Sequence, residues 1–332
     1  MPAEAPLVAI CMATFEPDPR LLERQIGSIR EQTHERWICL ISDDGSSPEQ
    51  LAHLRELIAD DERFTLSVGE ERLGFYANFE RALRMVPTEA EFVALADQDD
   101  RWYPEKLAAL LAALGRAQLV YSDMRIVDEE GATVSDTFWR ERRNNFTNLA
   151  SLLLANTVTG AASLFRRQLL ELVLPFPEPV GDPFHDQWIA AVAAAVGEIA
   201  YVDRPLYDYV QHGAAARGHE AAMRPWDAGR LLDRRDPGGS LRQVRAHADR
   251  SYETNVRRIA VSAREIEKRA GEMMSPRKAR TVQRLASLDS SPAAAPWLAL
   301  RSLRRFAGHN ETMGIELSLL AAILLHRRQP SR

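Results

Sequence analysis

The sequence predicts an α/β domain over residues 1–215 and a basic, all-helical domain over 216–332. Three observations carry this. Short apolar runs alternate with helix-periodic stretches through the first hundred residues, the pattern of a largely parallel sheet with helices on both faces. From about residue 117 the alternation breaks, so the sheet is expected to be mixed. After about residue 215 strand signals stop and only helical periodicity continues. Charge divides the chain in the same way. Residues 1–219 hold 20 Lys and Arg against 35 Asp and Glu, a balance of −15. Residues 220–332 hold 22 against 12, a balance of +10.

The elements follow in order. Leu7–Ala13 is a Val- and Ile-containing run that reads as a strand. Leu21, Ile26 and Ile29 recur at roughly helical spacing. Trp37–Ser42 is a second strand, closed by Asp43-Asp44-Gly45-Ser46. Leu51, Leu54 and Ile58 mark a helix, and Phe64–Val68 alternates like a strand. Phe75, Phe79, Leu83 and Val86 form a helical stripe. Phe92–Ala96 is a buried strand, and Pro104–Leu114 is a helix with Pro in its first turn. Leu119–Ser122, Arg125–Val127, Ser163–Phe165 and Ile199–Val202 read as short strands, with a turn at Glu130-Gly131. Trp188–Val196 is an Ala-rich helix. Tyr252, Val256, Ile259, Ala263 and Ile266 step by four and three, the seam of a long helix. Met313, Leu317, Leu320 and Leu324 form the seam of the last one, and Asp289–Pro296 is a loop between them.

Composition narrows the function classes. With 45% hydrophobic and 27% charged residues the chain is an ordinary globular protein, not a disordered or fibrous one. Its two cysteines, Cys11 and Cys39, exclude a disulfide scaffold and a Cys-based zinc site. The apolar run Leu7–Phe15 is too short to span a membrane and has no basic stretch before it. Met313–Leu325 is also too short and contains Glu316. A cytoplasmic location is expected. The arginines of the basic domain read first as solvated helix faces and alternatively as a peripheral contact at the inner membrane face, to which Met313–Leu325 with Arg327-Arg328 could contribute. Packing within the domain, or a homodimer contact, accounts for Met313–Leu325 equally well. No nucleic-acid motif is present.

The chemistry concentrates at strand ends, where ligands bind in open α/β sheets. Asp97-Gln98-Asp99-Asp100 packs three carboxylates into four residues between a strand and a helix. Such a cluster suits a hard dication, which takes one or two carboxylates together with substrate phosphates. Asp43-Asp44-Gly45-Ser46 reads equally as a turn and as a site for a base or ribose hydroxyl. Asp182-Pro183 reads as a helix cap and first helical position, which puts Asp186 in the first turn.

Seven segments in order give the chain a family resemblance over about residues 6–215. They are Val8–Phe15, Ile41–Ser46, Leu73–Phe79, Ala96–Leu107, Gly160–Arg167, His185–Trp188 and Tyr209–Gly213. The chain resembles family 2 glycosyltransferases, which have the GT-A fold, and looks most like the bacterial rhamnosyltransferase-like subgroup that builds cell-surface polysaccharides. The resemblance implies an inverting transfer of a sugar from a nucleotide-sugar donor, dTDP-rhamnose or a UDP-sugar, to a hydroxyl of a saccharide acceptor, including one linked to polyprenyl diphosphate. It implies Mg²⁺ or Mn²⁺. It places Thr14, Phe15, Asp43, Asp44, Gly74, Asn78 and Asp97 at the nucleotide, and Asp97, Asp99 and His212 at the metal. Asp186 matches the catalytic base, with Asp182 in reserve. Trp102, Gly160, Trp188 and Gln211 fall on the acceptor and sugar side. After His212 the chain has Gly213-Ala214-Ala215 where the family often has Gly-Ser-Asn. The competing reading is a non-catalytic saccharide-binding or scaffolding protein on the same fold.

Overall fold

The computed structural model describes residues 4–139, 144–211, 245–246, 248–291, 294–307 and 312–326. The chain divides into two compact units. The first comprises 1–140, 158–176 and 185–218; the second comprises 141–157, 177–184 and 219–332. Two segments from within the first 215 residues, 141–157 and 177–184, therefore group with the second unit.

The first unit is built on a nine-stranded mixed sheet. Strands β1 (Val8–Thr14), β2 (Trp37–Asp43), β3 (Phe64–Val68) and β4 (Phe92–Ala96) form its parallel half in the order β3-β2-β1-β4. The two central strands are apolar nearly throughout because water reaches neither face. Helix α1 (Pro19–Arg30) follows β1, capped by the Asp18 carboxylate, which accepts from the Arg20 and Leu21 N–H groups. Helices α2 (Pro48–Ile58) and α3 (Phe75–Arg84) follow β2 and β3. The chain leaves β1 toward β2 and later returns to β4 on the other side of β1. That reversal opens a crevice at the carboxyl ends of the strands. In register, Thr14 lies beside Asp43 and Met12 beside Ala96, so the two acidic clusters emerge at one edge.

The remaining strands make the sheet mixed, as expected. Strand β5 (Arg101–Trp102) is a two-residue strand that the sequence does not announce. Helix α4 (Lys106–Leu114) starts two residues after Pro104, which sits in the preceding turn. Strand β6 (Leu119–Val127) is continuous where two short strands are expected, because irregular register around Asp123 interrupts the sequence pattern without ending the pairing. β7 (Thr133–Ser135) pairs antiparallel with β6 across the Glu130-Gly131 turn. β8 (Ser163–Arg166) runs antiparallel between β4 and β6. β9 (Ile199–Val210) pairs with both halves of β6 and then with β5, so it is far longer than its apolar start suggests.

The other helices are α5 (Leu149–Leu154), α6 (Leu170–Val173) and α7 (His185–Val196). α7 begins at His185, so Asp182-Pro183 is not its cap, although Asp186 does lie in its first turn. Among the described residues the second unit contains α5, helical residues from 248 into the turn Tyr252–Val256, and then α8 (Arg257–Ala270), α9 (Pro276–Ala286), α10 (Ala294–Ser302) and α11 (Met313–His326). The expected seam Tyr252, Val256, Ile259, Ala263 and Ile266 is buried in full. Two expectations fail here. Pro296 falls in the first turn of α10, where a missing N–H costs little, and is not in a loop. In α11 the buried face is Glu316, Leu319, Ala322 and Ile323, and the expected seam residues Leu317 and Leu324 are exposed.

A buried ion pair selects that face. Arg301 Nε lies 2.6 Å from Glu316 Oε1. Glu316 also accepts from Thr312 Oγ1 at 3.0 Å, and the Arg301 guanidinium donates to Ser151 Oγ and Asn148 Oδ1. Burial pushes the Glu316 carboxyl above its usual range, and Arg301 opposes this. Arg301→Met is expected to destabilise the chain by about 3–5 kcal/mol in urea unfolding, because it strands a buried carboxylate. Adding Glu316→Leu should recover most of the loss; no recovery would show that the pair does not set the packing.

Candidate active site

At the carboxyl ends of β1 and β2 lies a set of satisfied carboxylates. Asp43 is fully buried. Its Oδ2 accepts from Thr14 Oγ1 (2.9 Å) and Ser46 Oγ (2.6 Å), and its Oδ1 from the Gly45 and Ser46 N–H groups (3.1 and 2.8 Å). Asp44, also buried, accepts from the N–H groups of Leu73 (2.9 Å) and Gly74 (2.7 Å). Of the two readings the sequence leaves open, the hydrogen bonds seen are those of a turn: both side chains brace loops. Gly74 has φ +83°, a conformation few other residues adopt, and it sits at the start of α3. Asn78 donates to Thr14 O at 3.1 Å, and Arg81 donates to Asn78 Oδ1 (2.9 Å), Ser42 Oγ (2.6 Å) and Asp43 O. Phe15 carries the Arg72 guanidinium 3.8 Å above its ring. Phe15, Gly74 and the neighbouring Leu73 and Phe75 keep this end open to water, the last two at 55% and 47% exposure.

The Asp97-Gln98-Asp99-Asp100 turn is electrostatically different. Gln98 is the tie: its Oε1 accepts from the Phe15 N–H (2.8 Å) and its Nε2 donates to Phe15 O (3.2 Å). Asp97 and Asp99 are half-buried, and Asp100 is fully buried. Burial, then the charges of Asp99 and Asp186, push the Asp97 carboxyl up to about 7. Burial also pushes Asp100 well above the usual carboxylate range. Lys106 opposes both shifts. Its ammonium is fully buried, 3.7 Å from the Trp102 ring centroid and 4.4 Å from that of Tyr207, and donates to Ala161 O at 2.5 Å. Burial in turn pushes Lys106 well below its usual range, offset in part by Asp100 and Asp97.

The Gly160 turn packs tightly against the start of α7. The Gly160 N–H donates to Asp186 Oδ2 (3.3 Å), and the Gln187 N–H to Asp186 Oδ1 (2.6 Å). A Cβ at Gly160 would lie 2.7 Å from His185 Nε2, so only glycine fits. His185 stacks on Phe79 at 3.8 Å, linking α7 to α3, and burial holds its imidazole neutral, down at about 3. Trp102 and Trp188 are 1% and 3% exposed, one under the Lys106 ammonium and the other donating its indole N–H to Val173 O. Neither offers a face to a sugar, which corrects that expectation: the large apolar rings are used as core. Gln211 closes β9 with its N–H on Val127 O. His212 lies outside the described residues. Asp182 is exposed and groups with the second unit.

Sequence reasoning misses Gln98, Lys106, Arg81 and His185 as parts of this arrangement. All four lie within or beside the quoted motifs, but nothing in their spacing predicts that they buttress the acidic residues. The donor set fits a divalent cation. Among the described residues no group of three His, Cys, Asp or Glu forms a closed cluster. Asp97 and Asp99 instead supply two hard oxygen donors under mutual repulsion, leaving further positions for phosphate and water.

Comparison with known proteins agrees with this geometry. The model of glycosyl transferase family 2 matches residues 9–174. An uncharacterized protein of Sinorhizobium fredii is 27% identical over 233 residues, 68% of this chain and 25% of that protein. An uncharacterized glycosyltransferase of Nostoc sp. is 29% identical over 209 residues, 59% of this chain and 62% of that protein. The match thus spans only part of either relative. The succinoglycan biosynthesis protein ExoW of Rhizobium meliloti is 30% identical over 101 residues, 30% of this chain and 31% of that protein. S. aureus TarS 1-349, solved in complex with UDP-GlcNAc, superposes with a TM-score of 0.54 at 15% identity, covering 97% of this chain and 92% of that one. That likeness is one of fold, and the fold is GT-A. The family match runs from β1 past the Gly160 turn and so takes in the acidic turn and the loops that brace it; the chain belongs to glycosyl transferase family 2.

Proposed function

We propose that the chain is an inverting, metal-dependent glycosyltransferase. It moves a sugar from a nucleotide-diphosphate donor to a hydroxyl of a saccharide acceptor in surface polysaccharide synthesis. The observation that carries this is that the charges of Asp99, in the same turn, and of Asp186, in the first turn of α7, both act on the Asp97 carboxyl just beyond the end of β4. Family membership, TarS solved with UDP-GlcNAc and ExoW named for succinoglycan synthesis support the same reading. The donor is dTDP-rhamnose or a UDP-sugar, by the rhamnosyltransferase-like pattern of Ala96–Leu107.

Each residue then has a task. Thr14, Phe15, Gly74 and Asn78 line the nucleoside pocket, and Asp43 and Asp44 hold its loops in shape. Asp97 and Asp99 hold Mg²⁺ or Mn²⁺, with His212 as a further ligand. The cation supplies charge neutralisation to the departing diphosphate. Asp186, fixed by two backbone N–H groups, takes the proton of the acceptor hydroxyl as its oxygen attacks the anomeric carbon from the side opposite the diphosphate. One displacement inverts that carbon, and the proton ends on Asp186. Gly160 and Gln211 border the acceptor.

A thermal-shift panel of UDP, dTDP and GDP, each with and without Mn²⁺, tests the reading. One nucleotide should raise the melting temperature only with metal, by the equivalent of about 2.7 kcal/mol at a hundredfold excess over Kd. Asp99→Asn should abolish that shift. No shift with any nucleotide would favour the saccharide-binding or scaffolding alternative. Asp186→Asn should keep the metal-dependent shift and lower kcat about 10²–10⁴-fold in nucleoside-diphosphate release with a saccharide acceptor; unchanged release would remove Asp186 as the base. Because the Asp97 carboxyl titrates near 7, a proton competes with the metal below that pH. Mn²⁺ affinity by calorimetry should weaken toward about tenfold per unit as pH falls below about 7, and level off above it. A flat profile between pH 5 and pH 8 would contradict the placement of Asp97 in the metal site.

A further inference from the structure

The second unit carries an apolar stripe on its surface. Trp297, Leu300, Leu303 and Phe306 recur every third residue along α10 and the 3₁₀ turn that continues it to Ala307. Trp297 is half-buried, whereas Leu300, Leu303 and Phe306 are 67%, 53% and 82% exposed. The packed side of α10 is already occupied. Ala294, Ala295 and Leu298 are buried, and Arg301 turns inward to Glu316 and Ser151. Three large apolar side chains in succession on the water side mark a contact surface more often than chance exposure.

The surrounding charge selects the partner. Residues 276–307 hold seven Lys and Arg against one acid, Asp289, a balance of +6. Arg277, Arg280 and Arg284 of α9 are exposed. The Arg284 guanidinium carbon lies 6.0 Å from the Trp297 ring centroid and that of Arg301 lies 5.7 Å from it, so the indole sits between two cations. A second copy docking through a two-fold axis would set this basic surface against itself, which like-charge repulsion opposes. An anionic bilayer offers both components: phosphates for the guanidiniums, and acyl chains for Leu300, Leu303 and Phe306, with the indole at headgroup depth. Among the described residues no helix is long and apolar enough to cross a membrane, so the contact is one of lying on the surface.

We infer that the Trp297–Phe306 stripe, flanked by the basic face of α9, docks the chain on anionic lipid. The sequence places this contact at Met313–Leu325 or on the arginine-rich faces in general; the structure locates the apolar component on α10. Vesicle flotation of the full chain tests it without donor or acceptor, so its outcome is independent of the proposed activity. The chain should float with phosphatidylcholine vesicles that contain phosphatidylglycerol, and about tenfold less with phosphatidylcholine alone. Leu303→Asp with Phe306→Asp should lower flotation about tenfold at an unchanged melting temperature. Arg277→Glu with Arg280→Glu should remove the preference for phosphatidylglycerol. Equal binding to both vesicle types, or flotation indifferent to Leu303→Asp with Phe306→Asp, would overturn the inference. A dimer in light scattering that Phe306→Asp dissolves, with no flotation, would give the stripe to a second copy instead.

Discussion

The Lys106 ammonium is out of water, and an isolated buried charge costs several kcal/mol. It is kept there by five groups at once: the Trp102 and Tyr207 rings, the Ala161 carbonyl, and the charges of Asp100 and Asp97. Two halves of the site depend on this arrangement. Lys106 starts the helix that follows the acidic turn, so it fixes where that turn ends. Ala161 belongs to the turn whose Gly160 N–H meets Asp186, so the same ammonium fixes the proposed base. The chain uses Lys only three times against 39 Arg. A guanidinium is a wide planar fork, and an ammonium is a compact point charge that fits between two rings. In a chain this rich in arginine, a lysine at that position is a steric requirement.

The acidic residues of the first unit fall into two electrostatic kinds. Asp43 and Asp44 spend their oxygens on backbone N–H and hydroxyl donors, and so brace the loops beyond β2 and β3. Half-buried Asp97 and fully buried Asp100 stand against like charge, which Lys106 offsets at both and the Val210 backbone at Asp100. The contrast separates scaffolding from chemistry more sharply than residue type does, since all four are aspartates beside strand ends. Gln98 couples the two kinds, because it pins the turn to the end of β1 through Phe15.

Legibility followed the range of the forces involved. The parallel strands are readable because burial on both faces writes an uninterrupted apolar run in β1, β2 and β4, and burial on one face writes an alternating one in β3. Phe64–Val68 and Phe92–Ala96 appear with the bounds the sequence suggests. β9 was half-legible: its later residues pair at a mixed edge, where Asp203 and Arg204 face water and break the pattern. The face of α11 was misread because its leucines run nearly all round, and a buried Glu316 decides the orientation. Acidic residues at strand ends are local and were found. The buttresses Lys106, Gln98 and His185 are defined by partners 55, 83 and 106 positions away in sequence, which no spacing argument reaches.

The charge balance gives the metal a reason beyond the two carboxylates that would hold it. Residues 1–219 carry −15, and the proposed donor brings a diphosphate. Like charges repel over a Debye length of about 8 Å at physiological salt, so an acidic surface alone would slow the donor's approach. Arg81 and Arg72 pack against the loops beyond β1 and β2, and the Arg24 guanidinium donates to the main-chain oxygen of Asp99. Lys106 is sealed away from solvent, with Asp97 and Asp100 acting on it. A dication held at the proposed site would reverse the local sign of the field where the proposed donor's diphosphate would sit, and would relieve part of the repulsion that raises Asp97. On that proposal, occupancy by donor would be tied to occupancy by metal.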